Sequence, residues 1–224
     1  CFGHTSDIIA AMKWSAGLSV PGVPTSANPA QVINLSLGAS ASPCSTAQQS
    51  AVAEINARGA VVVAAAGNSA GRAASSPGNC PGVIGVAAVR HVGSKVGFSD
   101  VGPELSIAAP GGNCVNTGAN DPCLYPILTT VDSGNLGPVG AAYTDSFNIS
   151  VGTSFAAPLV SGTAALMLSV RPSLTPAALK AALQSSARPF PSSGLTDDSS
   201  GQPVPLQSCS APGNVDQLQC YCTR

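Results

Sequence analysis

The stretch that most constrains the fold of this chain is residues 148–168, NISVGTSFAAPLVSGTAALML. After a polar start it consists almost entirely of apolar and small residues. A segment this apolar on all sides is typical of a helix buried in a protein core. The seventeen residues from Ser154 to Val170 are marginal in length for a bilayer span, and Pro158 and Gly162 weaken that alternative further. We therefore expect a central core helix.

Ser154 stands where this helix is predicted to begin. The N-terminal N–H groups and the dipole of a helix favour developing negative charge, so a hydroxyl there is a candidate nucleophile. Serine is also a common N-terminal cap, which is the purely structural alternative. The position alone does not choose between a catalytic and a capping role.

The size and charge of the chain limit its class. A chain of 224 residues is long enough for one domain with a substantial core. Its hydrophobic fraction of 44% excludes disorder, since disorder couples low hydrophobicity to high net charge. A net charge of −1 argues against nucleic acid or an anionic membrane as the main partner.

The cysteine content indicates an oxidising compartment. Eight cysteines accompany only two methionines, a balance that predicts disulfides and secretion to the extracellular space. A metal site is the weaker alternative, because Cys220 and Cys222 form the only close pair. Neither His4 nor His91 lies in a ligand-like cluster.

Predicted strands and helices alternate along the first part of the chain. Residues 60–66 are wholly apolar, as expected for a parallel strand covered on both faces. The alternation predicts an α/β fold, a doubly wound and mostly parallel sheet with helices on both faces. We expect helices at 5–17, 45–58, 154–170 and from 175 onward, and strands at 31–36, 60–66, 83–89, 105–109 and 127–130.

Three ordered segments resemble one family, the subtilisin-like serine proteases. GTSFAAPLVSG (152–162) is similar to the nucleophile segment, and VINLSLG (32–38) to the strand that forms one side of the P1 pocket. VVVAAAGN (61–68) is similar to the strand that ends in the oxyanion-hole asparagine. The resemblance extends from residue 1 to 219 and implies a secreted serine endopeptidase that forms an acyl-enzyme intermediate.

The resemblance implies two catalytic residues in this chain. Ser154 would be the nucleophile, and its backbone N–H one donor to the oxyanion. Asn68 would be the second donor, since a side-chain amide after a parallel strand lies at the edge where α/β sheets place their sites. Without the resemblance, Asn68 is a turn-forming residue after Gly67.

The substrate-binding residues follow from the same resemblance. Small residues in both strand ends leave the P1 pocket open, and neither segment carries an acidic residue to neutralise a P1 lysine or arginine. A broad, apolar P1 preference is expected, with main-chain groups pairing with an extended peptide. The predicted substrate-binding residues are Ser36, Leu37, Gly38, Ala65, Ala66, Gly67 and Thr153.

The catalytic base is missing from these segments. The family places Asp and His before Ser in the chain, and no segment here resembles its Asp or His motif. His4 is interpreted as a loop residue near the substrate edge and His91 as a surface residue. We expect an N-terminal segment to supply Asp and His, so that residues 1–224 form the C-terminal two-thirds of one peptidase domain, with a sheet incomplete at its N-terminus.

Two other functional classes stay open at this stage. One is a peptide-binding pseudoprotease that kept the groove and lost the triad. The other is a structural α/β domain in which Ser154 only caps a helix. An upstream sequence with Asp and His in the family's motifs would decide for the enzyme.

The resemblance also bears on cross-links and cofactors. It implies a Cys1–Cys44 disulfide, because the two residues flank the same pocket, and a second bridge among Cys80, Cys114 and Cys123. From about residue 189 we expect a loop-rich tail held by disulfides, which contains Cys209, Cys220 and Cys222. No cofactor is implied for catalysis. The family often binds structural calcium, but its ligands are not assigned in this chain.

Overall fold

The computed structural model describes residues 3–39, 42–91, 93–112, 126–145, 151–191, 207–208 and 220–221. The helices are α1 (Thr5–Ser15), α2 (Thr46–Ala57), α3 (Thr153–Val170) and α4 (Pro176–Ser186). The strands are β1 (Val32–Leu35), β2 (Val61–Ala65), β3 (Ile84–Val89), β4 (Ile107–Pro110), β5 (Thr129–Asp132), β6 (Ala141–Thr144), β7 (Gln207–Ser208) and β8 (Cys220–Tyr221).

Strands β1 to β4 form a parallel sheet in chain order. The carboxyl ends of β1 and β2 lie side by side, because Leu35 pairs with Ala64. Residues that follow these two strands therefore meet at one edge of the sheet. β5 and β6 form a separate antiparallel pair.

Helices cover both faces of this sheet, because successive side chains of β2 pack in turn against the helices on one face and on the other. Val61, Val63 and Ala65 pack in the core cluster that contains α3 and α4. Val62 and Ala64 point the other way, into the cluster with α1 and α2. All five residues of β2 are buried, since a parallel strand between two helix layers has no solvent face. The α/β fold class predicted from the sequence is confirmed.

Helix α3 forms where the sequence predicts a core helix, but only its sheet-facing side is buried. Three alanines that face the sheet, Ala156, Ala157 and Ala164, are fully buried, which lets the helix pack closely against the strands. The helix is long and apolar enough to cross a membrane by length and composition alone, with a mean hydropathy of 1.4. Its packing against β1 to β4 accounts for the apolar residues on the face that contacts the sheet. On its other face, Leu166 is 70% exposed.

The disulfide prediction for Cys44 was wrong. Cys44 bonds to Cys80, not to Cys1, so Cys80 is not part of the second bridge expected among Cys80, Cys114 and Cys123. The physical reason is local: Ser76 N–H and Asn79 Nδ2 both donate to the Ser42 carbonyl, at 3.0 Å each, and draw the two loops together. Cys1, Cys114 and Cys123 lie outside the described residues, as do Cys209 and Cys222.

Peptide mapping under non-reducing conditions is expected to find Cys44 linked to Cys80, whose sequence separation is 36. On the loop-entropy model, a bridge across a loop of this length stabilises the fold by about 4 kcal/mol. Cys80→Ser should therefore lower the urea midpoint markedly. A free thiol at either residue in the oxidised protein would contradict the pairing.

Candidate active site

Ser154 lies at the N-terminus of α3, beside the segment that follows β1. Its Oγ donates to the Ser36 carbonyl oxygen at 3.4 Å, and the Ser36 hydroxyl donates in return to the Ser154 carbonyl oxygen at 2.7 Å. The side chain of Ser154 is partly exposed at the carboxyl edge of the sheet. This is the position at which a nucleophile benefits from a helix N-terminus.

Asn68 is brought next to the same helix start by Thr153. The Asn68 Oδ1 atom accepts hydrogen bonds from Thr153 N at 2.9 Å and from Thr153 Oγ1 at 2.8 Å. These two bonds fix which side of the amide is the acceptor side. Nδ2 consequently faces the backbone of Gly152, where an added Cβ would lie 3.3 Å from it. The structure thus places an oriented N–H₂ group two residues from Ser154.

The predicted P1 pocket has its two sides at Gly38 and Gly67, with Ser75 between them. A Cβ at Gly38 would lie 3.5 Å from Ser75 Cβ, and one at Gly67 would lie 2.7 Å from Ser75 Oγ. Glycine is therefore required at position 67, where a Cβ would clash, whereas the 3.5 Å at Gly38 is an ordinary van der Waals contact. The sequence analysis did not identify Ser75, because only the tertiary fold places it between the two predicted strands.

The two sides of this pocket differ in what they offer a peptide. The Ala66 N–H donates to Val86 at 2.9 Å and the Gly67 N–H to Thr153 Oγ1 at 3.2 Å, so neither donor is available to substrate. Ala65 and Ala66 are buried, whereas Ser36, Leu37 and Gly38 are exposed. Main-chain pairing with a peptide is therefore expected along residues 36–38, and of residues 65–67 only the partly exposed Gly67 can contribute surface.

Asp100 is a second residue that the sequence analysis did not identify. It is fully buried and forms hydrogen bonds with the residues before and after Asn68. The Ser69 N–H donates to its Oδ1 at 2.8 Å, and its own N–H donates to the Gly67 carbonyl at 3.0 Å. Its Oδ2 contacts the Gly67 backbone and has no hydrogen-bond partner. The loop that carries the predicted oxyanion donor is thus anchored to a buried carboxyl group.

Burial raises the pKa of the Asp100 carboxyl above its ordinary value of 3.8. Desolvation outweighs the hydrogen bonds from Ser69 and Arg72 and the attraction of Lys95, all of which act to lower that pKa. Because the folded pKa exceeds the unfolded one, the contribution of Asp100 to stability is fully present below the unfolded pKa. It is lost as the pH rises through the folded pKa.

Asp100→Asn is expected to weaken the dependence of unfolding free energy on pH above about pH 4. Asparagine keeps a carbonyl oxygen for the Ser69 N–H but does not ionise, so the loss of stability on ionisation disappears. Urea denaturation of both proteins at about pH 4 and about pH 7, in a Ser154→Ala background that prevents self-cleavage, measures the difference. An unchanged pH dependence would show that Asp100 ionises freely in the folded protein.

The structure places the two histidines at the start of α1 and after β3. His4 is the N-cap of α1, which packs against α2, and His91 is exposed in the turn after β3. Within the described residues, the Ser154 hydroxyl has a hydrogen bond to Ser36 and none to a histidine. Nor does the described part of the chain hold a cluster of three or more His, Cys, Asp or Glu that could bind a metal ion. The expectation of calcium therefore stays a prediction.

The fold and this site define a parallel α/β protein with a serine and an oriented amide at the carboxyl edge of its sheet. The comparison of the sequence with protein families gives the same class a name. The chain belongs to the subtilase family, whose family model matches residues 1–215.

Two relatives are named as extracellular proteases. One, from Xanthomonas campestris pv. campestris, is 43% identical over 193 residues, which cover 85% of this chain and 30% of that protein. The other, an extracellular basic protease of Dichelobacter nodosus, is 40% identical over 78% of this chain and 26% of its own length. The chain therefore spans under a third of either relative.

Solved structures agree with this assignment. A protease from Pseudoalteromonas arctica matches with a TM-score of 0.76 at 42% identity, covering 85% of this chain and 54% of that one. A cold-adapted subtilisin-like serine proteinase matches with a TM-score of 0.60 at 28% identity, covering 90% of this chain and 60% of its own. Both identify the fold as subtilisin-like.

Proposed function

We propose that this chain is the C-terminal two-thirds of the peptidase domain of a secreted serine endopeptidase. The observation that carries the proposal is the pair of hydrogen bonds from Thr153 to Asn68, which aims the Asn68 amide group toward the start of α3, where Ser154 lies. The family membership and the relatives named as extracellular proteases support it.

The proposed reaction has two acyl-transfer steps. Ser154 Oγ forms a bond to the carbonyl carbon of the substrate while a histidine takes its proton. The carbonyl oxygen becomes an oxyanion, which the Asn68 amide and the Ser154 N–H stabilise. The C–N bond then breaks, and the amine leaves with the proton. In the second step water attacks the acyl-enzyme with the histidine again as the base, and Ser154 Oγ leaves with the proton.

The histidine and its orienting aspartate are proposed to come from a segment upstream of residue 1. Two features of the described structure support this partner. β1 has no neighbour on its outer edge within the described sheet, and Asn34 on it is exposed. The outer face of α3 also leaves Leu159 48% and Leu166 70% exposed, an apolar surface that a covering segment would bury.

The proposed substrates are polypeptides with an apolar P1 side chain. Ser75 is buried between Gly38 and Gly67, so the predicted pocket is bordered by small, uncharged groups. Asp100 lies behind Gly67 with no exposed surface and does not present its carboxylate to this pocket. A P1 lysine or arginine would therefore lose its hydration without gaining a partner.

The full-length protein is expected to cleave peptides with P1 phenylalanine or leucine at least about tenfold faster, in kcat/KM, than matched peptides with P1 lysine or arginine. Initial rates on a peptide series that varies P1 alone provide the measurement. Ser154→Ala is the control and should abolish cleavage of every peptide. Equal or faster cleavage after lysine would contradict the proposed pocket, and cleavage by Ser154→Ala would contradict the proposed nucleophile.

A further inference from the structure

Pro158 removes one backbone hydrogen bond from the first turns of α3, near Ser154. An α-helical N–H donates to the carbonyl four residues earlier, so residue 158 would serve the Ser154 carbonyl. Proline has no N–H and removes this bond. The carbonyl that loses its helical partner therefore belongs to the proposed nucleophile itself.

A side chain from another element satisfies that carbonyl. The Ser36 hydroxyl, just after β1, donates to Ser154 O at 2.7 Å. Backbone carbonyls without a partner are unfavourable where water is excluded, as in the groove that a bound peptide would cover. The contact thus joins residues 118 positions apart at the first turn of α3.

The Ser36 hydroxyl is in turn oriented by a short polar chain. Asn34 Nδ2 donates to Ser36 Oγ at 2.9 Å, which leaves the Ser36 proton directed to Ser154. Asn34 Oδ1 accepts from Ser161 Oγ, also at 2.9 Å. Ser161 lies two turns further along α3, so the chain of hydrogen bonds starts and ends on the same helix and fixes it against β1.

We propose that Ser36 is a positioning residue, whose hydroxyl replaces the hydrogen bond that Pro158 removes from Ser154 and so sets the position of the nucleophile. This inference rests on the proposed function of Ser154. It gives Ser36 a role separate from substrate contact, because its hydroxyl donates to the enzyme, whereas the expected peptide contacts of residues 36–38 are made by the main chain.

The test is a double-mutant cycle in the full-length protein. Ser36→Ala is expected to lower kcat by about tenfold or more with little change in KM, since small displacements of a reacting group can reduce rates by up to about a hundredfold. Pro158→Ala restores an N–H donor to the Ser154 carbonyl. In that background Ser36→Ala should change kcat by less than about twofold, because the lost bond has a substitute.

Ser169→Ala is the matched control. Ser169 is on the same helix, and its hydroxyl also donates to a backbone carbonyl at 2.7 Å, that of Leu166. Its removal should leave kcat unchanged, since the bond lies far along α3 from Ser154. Peptides that vary at P1 supply a second readout, because a substrate-binding role for the Ser36 side chain would change KM instead.

The same cycle is measured by thermal unfolding in a Ser154→Ala background. Ser36→Ala should lower Tm by roughly 2–4 °C, the effect of about one hydrogen bond in a chain of this size, and by much less when residue 158 is alanine. Unchanged kcat in Ser36→Ala, or additive effects of the two substitutions on both kcat and Tm, would overturn the proposal. If the wild-type protein shows no Ser154-dependent cleavage, the proposed function fails, and the Tm cycle alone decides whether Ser36 replaces the missing bond.

Discussion

Residues 1–224 on their own are expected to hydrolyse peptides about 10⁶-fold more slowly than the full-length protein, a figure that is subtilisin's own for loss of the nucleophile or the base. A serine hydroxyl at its ordinary pKa needs a histidine within hydrogen-bond reach to become a nucleophile. The Ser154 hydroxyl has only the Ser36 carbonyl as its partner in the described structure. Without the base, only substrate binding and the oxyanion donors still contribute to the rate of hydrolysis.

Covalent labelling measures this directly. A serine-directed sulfonyl fluoride should leave the isolated chain unmodified and should label Ser154 alone once an upstream segment with Asp and His is added. The isolated chain exposes apolar surface on α3, so its folding is checked by circular dichroism. A full-length variant in which only the upstream histidine is replaced by alanine makes the same test without loss of fold. Rapid stoichiometric labelling of the isolated chain would show instead that His4 or His91 is the base.

The sequence predicts the core elements well where local signals and burial agree. For α2, the predicted range 45–58 became Thr46–Ala57, because Ser45 and Gln48 form a reciprocal capping box that fixes the helix start. For β2, the prediction of 60–66 agrees with the observed Val61–Ala65 to within one residue at each end, because a continuous apolar run marks a buried strand. Thr175 caps α4 through the Ala178 N–H, as its position before Pro176 predicts.

Elements that depend on tertiary contacts were predicted less well. β6 was not identified, because its sequence AAYT alternates weakly and is partly exposed. Its pairing with β5 is supported by Asp132, whose carboxylate accepts from the N–H groups of Gly134, Val139 and Gly140. These hydrogen bonds hold the pKa of the Asp132 carboxyl below its usual range. The role of Asp132 in this turn can be recognised only once β5 and β6 are known to pair.

The candidate site divides in the same way. Ser154 and Asn68 belong to contiguous segments whose residue order carries the resemblance, so they can be named from the sequence. Ser75 and Asp100 follow no segment of that kind. They lie on loops that pass next to Gly67. Their closeness to Gly67 depends on how the parallel strands align, which cannot be seen in the sequence.

Asn68→Ala in the full-length protein is expected to lower kcat by about 10²–10³ with little change in KM, a magnitude measured for the equivalent donor of subtilisin itself. The oxyanion exists only in the transition state, so a donor aimed at it affects the chemical step rather than ground-state binding. Its aim comes from Thr153, which occupies the acceptor side of the amide through two hydrogen bonds. Steady-state kinetics on one apolar P1 peptide separates kcat from KM.

Asn68→Asp distinguishes a donor from a turn-forming residue. Aspartate is nearly isosteric, suits the same turn and keeps an oxygen that can accept from both Thr153 donors. It lacks the N–H₂ group and places a negative charge beside the developing oxyanion. If Asn68 is the oxyanion donor, Asn68→Asp should be at least as slow as Asn68→Ala. If it only shapes the turn, Asn68→Asp should retain nearly full activity. Asn56→Ala, which removes an amide bonded to Gly82 on the α2 side of the sheet, should lower stability and leave kcat unchanged, since no hydrogen bond in the described part of the chain links Asn56 to Ser154.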